Sequence, residues 1–339
     1  MNKLSVQIVN NKNAPVEKWR QFVLDHPKGT IFQSPQLFEL YERTDLLEPI
    51  VVIAYLNEEI KGLMLAVIQK EHSGIVGKFT SRSIITGGPL VYENSVSEEI
   101  IKTYTDHIKG KVIYSQFRNL FDTGEMHASF EKSGYERADH LDIIFDLKKN
   151  EETLWSEVHV NRKKEIKNGI KKGVETGQIT LAGSNEIQTI YSLLKKLYKK
   201  IGLPLPTLDF FKNAVEILEP GGELLTFVAK IENRIIGFRM VLVFKELIYD
   251  WYAASEDEYL NYRPNDILPW EIIKWGAGNK YKIFDFGGAG KPNVPYGVRE
   301  YKLKFGGEVV NYGRYEKIHK PSLYKLGKAG ISILKMKKK

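Results

Sequence analysis

Short apolar runs alternate with polar breaks along all 339 residues, at spacings that predict a mixture of strands and amphipathic helices. Two of these runs match each other. Val52-Ile-Ala-Tyr-Leu-Asn-Glu-Glu-Ile-Lys-Gly62 and Phe227-Val-Ala-Lys-Ile-Glu-Asn-Arg-Ile-Ile-Gly237 share alanine, isoleucine and glycine positions at a constant offset of 175. Each reads as a β-hairpin with a polar turn. Before the hairpins lie a predicted strand (5–9; 178–181) and two helices (16–25 and 35–41; 186–200 and 208–218). After them come a further strand, a helix (96–108; 266–276) and a strand (112–117; 281–286). The order βααβββαβ therefore occurs twice. This predicts an α/β protein of two tandem domains, 1–148 and 149–339, each a mixed central sheet flanked by helices and joined near residues 147–153.

One stretch has a residue order suited to chemistry: YKIFDFGGAGKPNVPYGVREYKLKFGGE, residues 281–308. An apolar strand ends at Asp285 and runs into Gly287 and Gly288, which would let a ligand approach bare backbone. Asp285 is either a functional carboxylate or an acid that caps the following turn. Lys291 follows Gly290, but a phosphate loop needs glycine where Asp285 stands and Ser or Thr where Pro292 stands. A dinucleotide fingerprint fails too, because Asn293 occupies the third glycine position.

Composition narrows the class. With 42% hydrophobic and 12% aromatic residues the chain is globular, and its length suits two cores. The absence of cysteine excludes disulfides, thiolate nucleophiles and cysteine-ligated metals. The first residues lack a signal-peptide core, and no apolar run approaches the ~18 residues of a spanning helix. The expectation is a cytoplasmic protein, with peripheral contact at the inner face of a membrane as an option.

The net charge of +8 is unevenly spread. Residues 1–146 hold 16 basic against 20 acidic residues, and the remainder holds 34 against 22. Two basic clusters stand out. One is residues 161–172 (NRKKEIKNGIKK), with Arg162, Lys163, Lys164 and Lys167 as candidates for RNA or other phosphate contacts. The other is the tail from Lys317, with eight lysines and no acid. There Leu323, Leu326, Ile331 and Leu334 interleave with lysines at helical spacing, a pattern suited to lying on the protein or on an anionic membrane.

The doubled element order is that of the GCN5-related N-acyltransferase (GNAT) fold, in which acyl donors bind where two central strands splay. In the second half the corresponding pair is 247–254 and 280–286. The glycine-rich pyrophosphate loop of acetyl-CoA users would precede the helix near Asp266. Arg263-Pro264-Asn265 stands there without a glycine, leaving Arg263 and Asn265 as candidates at a helix N-terminus that can face an anion.

Several segments resemble the FemABX peptidyltransferases, over nearly the whole chain: Phe32-Gln33-Ser34-Pro35, Gly88-Pro89-Leu90-Val91, Lys163-Lys164-Glu165-Ile166-Lys167, and Ile267-Leu268-Pro269-Trp270. The most specific are Phe284-Asp285-Phe286-Gly287-Gly288 and Tyr301-Lys302 followed by Phe305-Gly306-Gly307-Glu308. The resemblance implies two GNAT-like domains, of the type without a helical-hairpin arm. It also implies transfer of an amino acid from aminoacyl-tRNA to the peptide of a UDP- or lipid-linked cell-wall precursor, with no bound cofactor. It places a role near the precursor's phosphates and the reacting centre on Lys302. A second phosphate contact, usually arginine, falls on Lys200. A further family lysine in the first domain is replaced by Glu39 or Tyr41.

Amide formation needs an amine nucleophile, a proton acceptor and oxyanion stabilisation. The seven histidines show no ligand spacing and no G-x-S-x-G is present, so metal and serine-triad chemistry are not expected. The candidate catalytic residues are Lys302, Asp285, Asp250 and Tyr252. The candidate substrate-binding residues are Lys200, Arg263, Asn265, Gly287, Gly288, Arg299 and Tyr301. Acyl-CoA-dependent N-acylation of an amino sugar or amino acid is the alternative, and a non-catalytic basic protein that binds membrane or RNA is the third reading.

Overall fold

The structure is a computed structural model, described for residues 4–9, 13–70 and 81–326. It has two compact units, one made of residues 1–139 with 312–339 and the other of His140–Asn311.

The first unit is built on β1 (Ser5–Val9), β2 (Leu47–Leu56), β3 (Glu59–Gln69), β4 (Arg82–Thr86), the short β5 (Leu90–Val91), β6 (Tyr114–Arg118) and β7 (Glu136–Ala138). The second uses β8 (Leu141–Asp146), β9 (Glu175–Ile179), β10 (Leu224–Ile231), β11 (Arg234–Phe244), β12 (Leu247–Ser255), β13 (Ile283–Gly290) and β14 (Glu308–Val310). The final strand, β15 (Arg314–Ile318), returns to the first sheet.

The strand order is β1-β2-β3-β4-β6-β15-β7 in the first sheet and β9-β10-β11-β12-β13-β8-β14 in the second. The two sheets are the same arrangement, so the doubled order expected from the sequence is present. The matched hairpins turn on Asn57-Glu58 and Glu232-Asn233, all with positive φ, as a two-residue hairpin turn requires. Each hairpin carries a bulge at the equivalent place, Ala54/Tyr55 and Ala229/Lys230.

The expected boundary between residues 148 and 149 is replaced by a different division. Leu141–Asp146 pairs with β13 and β14 in the second sheet, and Arg314–Ile318 pairs with β6 and β7 in the first. The place beside the inner parallel pair is filled in each sheet by a strand from outside its own βααβββαβ run. Phe145 and Tyr315 fill the respective cores.

Two separate cores follow. One gathers Val52, Met64, Ile100, Tyr104, Phe117, Phe130 and Tyr315. The other gathers Phe145, Phe227, Val241, Ile248, Ile267, Ile273, Phe284 and Phe286. Between Leu154 and Lys200 the longest helix is Glu186–Ile201, so no helical-hairpin arm is present. In the basic tail, Lys317 lies on the first unit, its ammonium donating to Ser133 O at 2.6 Å. Leu323 is half-buried and Leu326 exposed, whereas Ile331 and Leu334 fall outside the described residues. Among the described residues no helix is long and apolar enough to cross a membrane.

Candidate active site

The second sheet opens into a fork. β12 and β13 run parallel and pair at Leu247 with Ile283, Ile248 with Phe284 and Tyr249 with Asp285. Beyond Asp285 they no longer pair, although β12 continues to Ser255 and β13 to Gly290. Two local features explain the parting. Gly287 takes φ 77°, a conformation costly for any residue with a Cβ, and β13 shifts register against β8 between Asp285 and Gly288. On the other side β12 bulges at Trp251, between the pairs Val241–Asp250 and Met240–Tyr252. The equivalent strands of the first sheet, β4 and β6, stay paired from Arg82–Tyr114 to Thr86–Arg118. The parted strands therefore belong to the second unit.

Charged groups collect where the strands part. Lys302 stands on the short helix Gly297–Leu303 and is only 8% exposed. Its ammonium donates to Phe286 O and, at 3.1 Å, to Gly288 O, and lies 5.1 Å from the Phe286 ring centroid. Burial pulls its pKa below the usual lysine range, against the opposing pull of Asp250 and Asp285. Asp285 is buried and accepts a 2.7 Å hydrogen bond from the Gly287 amide. Burial, with the neighbouring Asp142 carboxylate, pushes it up to about 7. Asp285 thus caps the turn, and its carboxyl is at the same time perturbed by its surroundings.

Asp250 sits one residue beyond the last paired position. Its Oδ2 meets Arg239 Nη1 at 2.5 Å, while Oδ1 has no hydrogen-bond partner. Arg239 also donates to the Tyr301 hydroxyl at 3.3 Å and lies 5.0 Å from the Phe286 ring. Tyr301 in turn donates to the Asn265 carbonyl, and the Asn265 side chain accepts from Ser255 Oγ at 2.8 Å. One connected set therefore spans Asp250, Arg239, Tyr301 and Asn265.

Other candidates lie elsewhere. Tyr252 packs among aromatic rings, 4.9 Å from Phe211, 4.8 Å from Trp251 and 6.4 Å from Tyr198. The bulge at Trp251 changes the alternation of the strand, which is why two residues of spacing do not carry Tyr252 to the Asp250 cluster. Arg299 spends its guanidinium on three backbone carbonyls, Ala289 at the end of β13 and Lys291 and Val294 in the loop beyond it. Arg263 takes a left-handed φ of 66° just before the helix Pro264–Gly278 and pairs with Glu165 at 2.6 Å. Lys200 is exposed and paired with Asp257 at 2.9 Å, a surface ion pair of the kind worth only about 0–1 kcal/mol.

The basic helix Val160–Lys171 divides into two faces. Arg162 is drawn inside: it pairs with Asp266 and lies between the Tyr301 and Phe305 rings, at 4.7 and 4.6 Å. It is withdrawn from the phosphate-binding surface expected of it, because i and i+4 spacing puts it with Ile166 and Gly169 on the packed side. Lys164 and Lys167 remain exposed, and Lys163 is half-buried with its ammonium on Ser156 O at 2.9 Å.

Two members of the cluster escaped sequence reading, Arg239 and Asp142. The signal for Arg239 was a lone arginine inside the run Ile235-Ile-Gly-Phe-Arg-Met-Val-Leu242. A charge in a strand that is otherwise buried needs a buried partner. Asp142 gave no comparable signal, since its strand lies far from β13 in sequence.

The two sheets, their order and the fork define a tandem GNAT fold. Residues 160–303 match the family model described as an acetyltransferase (GNAT) domain, so the second unit carries a transferase domain of that class. No curated protein matches the chain. Among solved structures it is similar to FemX, at 14% identity and a TM-score of 0.70, covering 94% of this chain and 99% of that one. It is also similar to a tandem GNAT protein from the clavulanic acid biosynthesis pathway, at 10% identity and a TM-score of 0.59, covering 94% and 99%. A third is the C-terminal domain of a putative lysylphosphatidylglycerol synthetase from Agrobacterium fabrum, at 12% identity and a TM-score of 0.53, covering 78% and 85%. The chain thus has a FemX-like arrangement of two GNAT-type domains.

Proposed function

We propose that the protein forms an amide bond at the fork of its second unit, transferring an aminoacyl group from aminoacyl-tRNA to an amine of a cell-envelope precursor. The observation that carries this reading is the parting of β12 and β13 after Tyr249–Asp285, with Lys302 and Asp250 at the opening. The acceptor amine attacks the acyl carbonyl carbon. A C–N bond forms, the carbonyl becomes an oxyanion, and the ester C–O bond to the donor ribose then breaks. The Lys302 ammonium, held by two carbonyls, has a remaining N–H to offer that oxyanion. Asp250, oriented by Arg239, takes the amine proton on its unpartnered oxygen, and the leaving ribose oxygen receives it.

The choice of donor rests on the N-terminus of Pro264–Gly278. Anions favour such an end, but here the first-turn amides of Asp266 and Ile267 already bond to Arg263 O, and the Asp266 carboxylate with Arg162 fills the place. A CoA pyrophosphate would meet a carboxylate there. Lys164 and Lys167 are left for RNA phosphates. The envelope acceptor is supported by the likeness to FemX and to a lysylphosphatidylglycerol synthetase domain. Acyl-CoA-dependent N-acylation is the second reading, favoured by the acetyltransferase (GNAT) match.

The test supplies aminoacyl-tRNA or acyl-CoA with UDP-linked muropeptide and simple amines, and follows donor consumption. Aminoacyl-tRNA should be consumed only with the peptide amine, and Lys302→Met should lower kcat about 100-fold or more with an unchanged circular dichroism spectrum. Consumption of acyl-CoA instead would replace the donor. Undiminished turnover by Lys302→Met would remove Lys302 from the chemistry.

A further inference from the structure

Beyond the fork, β13 leads into Lys291–Tyr296, a loop with unusually little freedom. Pro292 and Pro295 restrict two of its φ angles, and Asn293 is left-handed at 59°. The Arg299 guanidinium ties the loop together from within, donating to Ala289 O at 3.2 Å, Lys291 O at 2.7 Å and Val294 O at 2.6 Å. The Tyr296 ring lies on Gly290, where a Cβ would come within 2.9 Å of it. Gly290 has φ 77°, so this contact is built on a residue that only glycine fills without strain.

This loop and the helix Gly297–Leu303 that follows it display apolar side chains. Val294 is 51% exposed, Tyr296 40%, Val298 42% and Leu303 38%. The ten residues 294–303 thus hold four of the eleven exposed large hydrophobic residues in His140–Asn311. Isolated exposed apolar residues need no explanation, but a group of them on a tied loop and the helix that follows it marks a contact surface. The group is continuous with the fork at both ends: it starts from β13 and ends on the helix that carries Lys302.

We propose that Val294, Tyr296 and Val298 form the subsite for the side chain of the transferred group, and that this group is apolar. The inference rests on the transfer reaction placed at the fork. Arg299 is then a positioning residue: it holds the loop in shape and does not meet the substrate's charge. The shared ligand chemistry is an apolar acyl group, whether carried by RNA or by CoA.

The experiment uses non-hydrolysable 3′-amide aminoacyl-adenosines bearing glycine, alanine, leucine or phenylalanine, alongside acetyl-, butyryl- and octanoyl-CoA. Binding to the full chain is followed by tryptophan fluorescence. Affinity should rise about tenfold or more from glycine to leucine or phenylalanine, as burial of a large apolar side chain requires. Tyr296→Ala should reduce that ratio to about twofold or less and retain the fold, while Tyr296→Phe keeps the ratio. The same trend in the CoA series alone would keep the subsite and change the carrier. A wild-type ratio near one, or an unaltered ratio in Tyr296→Ala, overturns the subsite even with binding intact. No binding by either series overturns the subsite together with the reading of the fork.

Discussion

Asp285 shows how one residue joins fold and chemistry at this site. Its folded pKa of about 7 lies above the value of about 3.9 for a carboxyl in water. The folded chain therefore holds a proton that the unfolded chain releases. A raised carboxyl of this kind favours the fold fully below about pH 4, and that contribution is lost as pH rises to about 7. The loss should be on the order of 2–4 kcal/mol. Asn in its place still accepts from the Gly287 amide but has no proton to lose. Asp285→Asn should accordingly gain stability over the wild type at pH 8 and show little difference at pH 4, as read from urea denaturation at both. An equal difference at the two values would mean that Asp285 is ionised throughout.

At the level of elements, the segments that stood out in the sequence do different work. Phe284-Asp285-Phe286-Gly287-Gly288 makes the diverging strand. Phe305-Gly306-Gly307 makes a turn: Gly306 and Gly307 have φ of 97° and 83°, and a Cβ on Gly307 would sit 3.0 Å from Ile144 O. Gly307→Ala should therefore cost about 1–3 kcal/mol of stability in the second unit. Chemical denaturation measures it, and an unchanged midpoint would show that the turn accommodates a Cβ at this position. Hairpins, helices and the doubled order were legible because their hydrophobic periods are local, and Lys302 and Asp285 because they stand in segments of recognisable residue order. Arg162 was misplaced because a run of basic residues does not reveal which side of the helix packs. Arg239 and Asp142 were missed because their partners are set by cross-strand register, which no local pattern carries. Arg299 was taken for a substrate ligand although its acceptors are backbone carbonyls, groups with no sequence signature.

For the whole molecule, the exchange of β8 and β15 means that neither sheet is completed by its own continuous run. β15 is held in the first unit by a fully buried Tyr315, stacked on Phe130 at 3.9 Å with its hydroxyl 3.0 Å from His127 Nδ1. His319 Nε2 adds a 2.9 Å contact to Ser115 Oγ, itself 2.8 Å from the Tyr135 hydroxyl. Burial, with Lys317 and Lys320 beside it, holds His319 down at about 4, so it stays neutral near pH 7 and this contact does not switch there. Removing the Tyr315 ring leaves a cavity against Phe130 and should cost about 3–5 kcal/mol, the range for large aromatic truncations in a core. Because the two cores share no residue, the cost should fall on the first unit. In Tyr315→Ala, amide exchange should accelerate in Tyr114–Arg118 and remain as in the wild type in Ile283–Gly290. Equal acceleration in both strands would show that the units unfold together and that the C-terminal strand stabilises the fork as well as the sheet it joins.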